Sequence, residues 1–345
     1  MAALNPLRIG VLGAARIARL FVDDVRTSRK ILVAAVASRD LERAGAFARE
    51  TGVARVHDSY EALLGDPDID AIYVPLPNSL HAQWCIRAAD AGKHVLCEKP
   101  LAASAAEAHA VFDAARRNRV FVVEAYPYLA QPQTLKMREL LAADTIGRVQ
   151  LIQASFGFPL TDPANIRMSA MLAGGALMDA GSYPVSLVRI VAGVRPTRVH
   201  AVSQWTESGV DLTTMATLEF TGALASPPLA QISCTFASAR HRHAFIAGDA
   251  GSISTTYFND TSSSFPPTLE VRRGTGWDAQ REIVETAATK GFLAEAESFH
   301  DLVRSGWAEW HGATPEESID IALTLDALAV SARTGAAAEV GSTPA

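Results

Sequence analysis

The 345-residue sequence predicts an α/β protein, a doubly wound parallel sheet followed by an α+β domain with a large, mostly antiparallel open sheet. Three observations carry this. Short apolar runs alternate with helical spacing from Arg8 to Glu124, the rhythm of parallel strands joined by crossover helices. After Glu124 the strands alternate apolar and polar residues, as half-solvated antiparallel strands do, and the chain then returns to helix over about 291–334. The first strand–helix junction, Gly13-Ala14-Ala15-Arg16-Ile17-Ala18, occupies the frame G-x-G-x-x-G/A that meets a pyrophosphate in dinucleotide-binding sheets, with Ala15 in place of the middle glycine.

Length and composition bound the rest. A chain of this size predicts two domains, 1–125 and 126–345, with the helix at about 291–334 able to pack back on the first. It is 49% apolar, enough for a sizeable core, and its net charge of −6 argues against nucleic acid or an acidic membrane as partner. Cys85, Cys97 and Cys234 are odd in number and lack metal-ligand spacing, so they read as reduced, buried thiols with no metal site. The amino terminus MAALNPLRIG has no signal-peptide pattern, and no apolar run approaches the roughly 18 residues of a membrane span. The expectation is a soluble cytoplasmic protein.

Arg8 to Gly13 reads as a buried strand, and Ile17, Leu20, Phe21 and Val25 give the next segment a helical stripe. Ile31 to Ser38 is a second strand, ending where such folds select between NAD and NADP. The chain there reads Ser38-Arg39-Asp40, hydroxyl and guanidinium first and the acid one place late, which favours a 2′-phosphate. Strands follow at 53–56, 71–75, 94–97 and 120–124, with helices at 41–50, 59–64, 81–91 and 104–118. Strand ends at Gly13, Pro77 and Lys99 then point loops toward one crevice. Glu98 and Lys99 close an apolar strand with charge, and Pro100 keeps Lys99 out of the α region. Lys99 as a solvated turn and His81 as a helix-start residue remain open alternatives.

In the second half, a helix over 132–144 precedes a strand over 149–158 and a loop over 161–168 containing Asn165 and Arg167. Ala173 to Gly193 is a glycine-led helical segment in which Asp179 and Tyr183, four apart, share a face if the helix is continuous; Pro184 argues that it starts late. The bland alternative makes Asp179 a cap and Tyr183 a core ring. Strands follow at 197–204, 214–220, 231–236, 252–257 and 268–272, with a loop over 262–267 and a frayed tail from Gly335.

Taken together, G-A-A-R-I-A, P-N-S-L-H, E-K-P and D-A-G-S-Y, in this order, resemble the Gfo/Idh/MocA oxidoreductases over about 7–334. The resemblance implies an amino-terminal Rossmann domain and a carboxyl-terminal α/β domain whose open sheet often forms a dimer interface. It implies cofactor contacts from Gly13, Ala14, Ala15, Arg16 and Ile17, with Ser38 and Arg39 at the 2′-phosphate. Pro77, Asn78, His81, Glu98 and Lys99 would line the nicotinamide half. Lys99, Tyr183 and Asp179 would be catalytic, and Tyr126, Asn165 and Arg167 would join them around the substrate. D-P-A-N-I-R before G-G-A-L-M-D resembles the branch of sugar and dihydrodiol dehydrogenases. That branch often carries E-A-F-M-Y-R-x-H-P, where this chain has Leu129 and Gln131 for the arginine and histidine, which implies an altered polar wall.

The expected function is hydride transfer between NADP(H), with NAD(H) possible, and the C–OH/C=O carbon of a sugar-like substrate, in a homodimer or higher homo-oligomer. Tyr183 would carry the proton, its ordinary pKa near 10 lowered by the Lys99 charge. Rival readings are a nucleotide-sugar ketoreductase, a trans-dihydrodiol dehydrogenase, and an NADP-binding regulator without turnover.

Overall fold

The computed structural model describes residues 5–222, 226–262 and 267–341. Residues 263–266 of the expected loop, 1–4 of the amino terminus and 342–345 of the tail lie outside these. The chain forms two compact units, 1–131 with 289–315, and 132–288 with 316–345. The first unit thus runs on to residue 131 and takes in 289–315, part of the stretch expected to be able to pack back on it.

In the first unit β1 (Leu7–Leu12), α1 (Arg16–Val25), β2 (Ile31–Ala37), α2 (Leu41–Thr51), β3 (Arg55–His57) and α3 (Tyr60–Leu64) lead to β4 (Ala71–Val74). Then come α4 (Asn78–Asp90), β5 (His94–Glu98), α5 (Ala105–Asn118) and β6 (Val122–Ala125). All pairings are parallel, in the order β3-β2-β1-β4-β5-β6. The order reverses between β1 and β4, the point where such sheets open a ligand crevice at their carboxyl ends. Every residue of β4 and β6 is buried, which explains why these strands read as unbroken apolar runs.

The second unit holds α6 (Pro132–Ala142), β7 (Val149–Gly157), α7 (Ser182–Ala192), β8 (Arg198–Trp205), β9 (Asp211–Glu219), β10 (Leu229–Thr235) and β11 (His241–Gly248). β12 (Gly251–Thr255), β13 (Thr268–Arg273) and β14 (Gln280–Glu285) complete its central run. The expected single carboxyl-terminal helix is two, α8 (Gly291–Ser305) in the first unit and α9 (Pro315–Thr334), nearly all in the second. β15 (Ala338–Glu339) pairs with β8, so part of the expected tail is sheet. The nine-stranded order is β14-β13-β12-β11-β7-β10-β9-β8-β15. β7 is antiparallel to β11 yet parallel to β10, a mixed pairing that alternation alone does not reveal. β14, missed by pattern, is an exposed edge strand with no buried face to betray it. One sheet face meets the helices: the Ala201 amide donates to Ser331 Oγ of α9, and Arg189 of α7 pairs with Asp320 of α9 at 2.7 Å. The other face carries Val202, Met215 and Leu229 at 66%, 64% and 53% exposure.

α8 joins the first unit because its stripe of Phe292, Ala296, Phe299 and Leu302 belongs to that unit's core. Phe21 of α1 stacks on Tyr73 at 4.0 Å and meets Phe292 edge-on at 5.9 Å. Lys30–Asp301 and Lys290–Asp24 pairs, at 2.6 and 2.7 Å, fix the helix ends. On the same stripe Glu295 is 1% exposed, and neither carboxyl oxygen has a hydrogen-bond partner among the described residues. Burial, and then the Glu98 charge, push its pKa well above the carboxylate range. The folded state thus holds a proton that the unfolded state gives up near pH 4.3, so this group costs stability as pH rises above that value. Replacing it by the neutral isostere, Glu295→Gln, is expected to leave Tm near wild type at pH 5 and raise it at pH 8. Calorimetry at both pH values checks this; parallel pH dependences would show that the carboxyl ionises alike in both states.

Candidate functional site

At the first strand–helix junction Gly13 has φ +96°, and a Cβ there would lie 3.1 Å from Leu76 Cδ2 and 3.4 Å from the Tyr60 hydroxyl. Glycine suits that backbone, and its bareness lets Leu76 and Tyr60 pack against the turn. α1 opens at Ala15 with no side-chain cap and no acid in its first turn, so its amide N–H groups face an electropositive opening beside Ala14, Arg16 and Ile17. A phosphate fits this cradle.

The end of β2 explains the displaced acid. Asp40 caps α2, accepting from the Arg43 amide at 3.1 Å, and Ser38 Oγ accepts from the Asp40 amide at 3.2 Å. The carboxylate is thus spent on the helix and turned from the role of ribose ligand. Arg39 is exposed beside Tyr60, whose phenol burial pushes up while the Arg39 and Arg43 charges pull it back. Hydroxyl, guanidinium and a second arginine gather here, a donor set made for a phosphate dianion.

The Lys99 turn is held from three sides. Tyr73 donates to Glu98 Oε1 at 2.7 Å, His81 bridges to Pro100 O, and the Leu101 amide donates to Glu124 Oε1 at 2.9 Å. Lys99 itself is 8% exposed, which rules out the solvated-turn alternative. His81 has no exposed surface, and its two ring nitrogens sit 2.7 Å from Pro100 O and 2.7 Å from Leu76 O. Burial, reinforced by the Lys99 charge, lowers its pKa, and a neutral ring donates only one of these bonds. The ring braces the turn between β4 and α4 against the lysine turn. Pro77 and Asn78, partly exposed, form that braced rim. Tyr126, expected at the substrate, has 0% exposure and lies edge-on to Tyr128. Leu129 and Gln131 are likewise fully buried, and Gln131 Nε2 donates to Thr289 O at 3.0 Å. Gln131 ties the point where the chain leaves the first unit to the point where it returns.

The second unit presents its own cluster. Residues 177–181 form a π-helical turn that runs directly into α7, so Asp179 and Tyr183 lie on one continuous helical stretch despite Pro184. The wider turn admits a proline that a regular α-helix interior resists. Arg167 Nε donates to Asp179 Oδ2 at 2.7 Å, and Asn165 Oδ1 accepts from the Arg167 amide at 3.1 Å, tying the 161–168 loop to the helix. Gly175 has φ +110°, and a Cβ there would strike Asp211 Oδ1; the same carboxylate accepts from the Leu177 amide at 2.6 Å. Tyr183 is 5% exposed, and its hydroxyl accepts from Asn259 Nδ2 at 3.0 Å. Arg242 of β11, with Cζ 3.9 Å from the Tyr183 ring centroid, is 5% exposed and donates to Asn259 Oδ1 at 3.1 Å. Sequence reading missed Arg242 and Asn259: on an alternating strand and in a loop, neither stands in a motif.

Among the described residues no group of three or more His, Cys, Asp or Glu side chains could hold a metal, and no helix is long and apolar enough to cross a membrane. The three cysteines are free and buried.

Comparison with known proteins follows this architecture. Residues 7–126 match the oxidoreductase-family model of the NAD-binding Rossmann fold, and 134–254 the GFO/IDH/MocA C-terminal domain. The chain is 37% identical over 337 residues to D-xylose 1-dehydrogenase (NADP(+)) 2 of Haloferax volcanii, covering 97% of this chain and 100% of that protein. It is 36% identical over 250 residues to trans-1,2-dihydrobenzene-1,2-diol dehydrogenase of Danio rerio, covering 72% and 73%. A 3-ketoreductase from Actinomadura kijaniata, solved with NADP and TDP-benzene, superimposes with a TM-score of 0.84 at 30% identity, covering 95% and 98%. The chain belongs to the Gfo/Idh/MocA family of oxidoreductases.

Proposed function

We propose that this chain is an NADP(H)-dependent oxidoreductase acting at a C–OH/C=O carbon of a sugar or sugar-like polyol. The observation that carries the reading is the preparation of its two reactive side chains: Lys99 is locked in a three-sided turn, and Tyr183 is buried with a donor on its hydroxyl. NADP is favoured over NAD because Asp40 is spent as a cap while Ser38 and Arg39 offer donors. When bound, the dinucleotide gives or takes the hydride. The protein must then place the carbinol or carbonyl and move one proton. Lys99 donates to the substrate oxygen and stabilises its developing negative charge, and Tyr183 gives or takes the proton. Asp179, paired with Arg167, orients that end of the substrate together with Asn165.

Relatives of the chain are named as a xylose dehydrogenase, dihydrodiol dehydrogenases and deoxysugar 3-reductases, which supports a carbohydrate-like substrate. The Actinomadura ketoreductase has also been solved with one lysine and with one tyrosine exchanged. Its similarity along nearly the full chain favours reduction of a nucleotide-linked keto-sugar as the second reading. Three unpaired thiols fit a cytoplasmic setting. The exposed sheet face bearing Val202, Met215 and Leu229 supports a homo-oligomer, most simply a two-fold dimer.

A panel of aldoses, polyols, diols and keto-sugars with each nicotinamide cofactor tests the activity. Arg39→Ala removes a charge-assisted contact of about 1.5–3 kcal/mol, so NADP affinity should fall about 10–150-fold with NAD little changed. Equal wild-type affinities for the two cofactors would reject the preference. Tyr183→Phe is expected to lower kcat by roughly 10²–10⁴ with cofactor binding intact, and Lys99→Ala at least as much. The double variant should lose far less than the product, since residues acting together fail together. A Tyr183→Phe enzyme within a few-fold of wild type would point to another proton carrier. Light scattering should show a dimer or larger, and Met215→Glu should weaken it; a monomer at all concentrations would reject the assembly.

A further inference from the structure

We propose that Arg242 is the positioning residue of Tyr183: its guanidinium, seated on the phenol ring and joined to the phenol oxygen through Asn259, fixes the side chain and favours its ionised form. This rests on the reading of Tyr183 as proton carrier.

A buried guanidinium needs compensation, and here three ring faces supply it. Arg242 Cζ lies 3.9 Å from the centroid of Tyr183, 4.7 Å from that of Tyr257 and 5.0 Å from that of Phe156. The negative face of each ring meets the cation, and the attraction grows when water is excluded. The effect is mutual, because a cation on the ring favours negative charge on that phenol.

Asn259 adds direction. Arginine cannot accept a hydrogen bond, so the 3.1 Å contact fixes Asn259 Oδ1 toward Arg242 Nη1. The amide nitrogen must then face Tyr183, where it donates to the hydroxyl at 3.0 Å. With that lone pair engaged, the phenol's own proton is directed to a different acceptor, as proton delivery to a substrate oxygen requires. In oxidation the phenolate takes the carbinol proton as the hydride leaves carbon; in reduction the phenol returns it.

The other groups around the ring do not take over this role. Tyr257, the second phenol on the guanidinium, donates to Ser155 O at 3.1 Å, and burial pushes its pKa up despite the nearby cation. It stays neutral. Phe156 carries no charge and meets Tyr183 edge-on at 5.4 Å. Asp179, on the same helical stretch, opposes ionisation, but its charge is paired with Arg167. Arg242 is the cation that packs on the Tyr183 ring itself.

The experiment titrates tyrosinate absorbance in the full chain and reads Tyr183 as the difference from Tyr183→Phe. The kcat–pH profile for oxidation is measured alongside. Arg242→Met should raise the Tyr183 midpoint by about one pH unit or more and lower kcat near neutrality by about 10–100-fold, with recovery as pH rises. Arg242→Lys, which keeps the charge, should lie nearer wild type. NADPH binding should be unchanged in both. A fall in kcat with an unmoved midpoint would reduce Arg242 to packing, and no change in either would overturn the proposal. If Arg242→Met does not fold, Asn259→Ala, which leaves the cation in place, decides: its midpoint should rise, and an unmoved one overturns the role of the bridge. The titration needs neither substrate nor cofactor. A shifted midpoint in a protein that turns over no polyol or keto-sugar would sink the catalytic reading of Tyr183 while sustaining that of Arg242.

Discussion

A charge taken out of water must be met by its neighbours, and two buried cations of this protein, Lys99 and Arg242, are set in place under that requirement. In the first unit Lys99 is buried at the end of an apolar strand, in a turn whose flanks are fixed by Tyr73, His81 and Glu124. In the second unit the buried cation is Arg242, met by aromatic faces and an amide oxygen. The two solutions differ. The residues on either side of Lys99 are fixed by hydrogen bonds, whereas Arg242 is met mainly by ring faces and by the one bond from Nη1 to Asn259.

The same constraint decides which features the sequence discloses. Strands buried on both faces must be apolar throughout, so β1, β2, β4 and β5 announce themselves and their ends locate Gly13, Pro77 and Lys99. Local capping is legible too: Ser104 accepts from the Glu107 amide as their spacing predicts. Long-range partners are not. Asn259 and Tyr183 are 76 residues apart, and Ser28 reaches Glu297 across 269. No periodicity links such residues. α8 has the ordinary stripe of an amphipathic helix, which states that it packs but not on what, so the sequence allowed a return to the first unit without saying which part of 291–334 makes it.

Asp40 and Pro184 show how local rules mislead when a residue serves two ends. Read as a ribose ligand, Asp40 is one place late; read as a cap, it is in register with α2. Pro184 argues for a helix that starts late, yet the π turn over 177–181 carries the helical path past it and keeps Asp179 and Tyr183 on one stretch. Gly174 and Gly175 make that entry possible, since a Cβ at the first would strike Arg167 O and at the second Asp211 Oδ1. Their bareness lets the Arg167 loop lie close against the start of the segment.

Leu129 and Gln131 bear on substrate range. Against the family pattern they replace charge-bearing side chains, which from sequence alone implies a changed pocket wall. Both are sealed from solvent, and the Gln131 amide bonds the backbone at Thr289. An arginine at 129 would need a partner for a buried cation, and a histidine at 131 would have to reproduce the bond to Thr289 O. The exchange therefore alters how the first unit is closed on itself. In the second unit the Asn165–Arg167 loop, partly exposed, is held by its Asp179 anchor and by the turn at Asn165. The ion pair and the turn hold this loop to the helix through side-chain and backbone bonds at once.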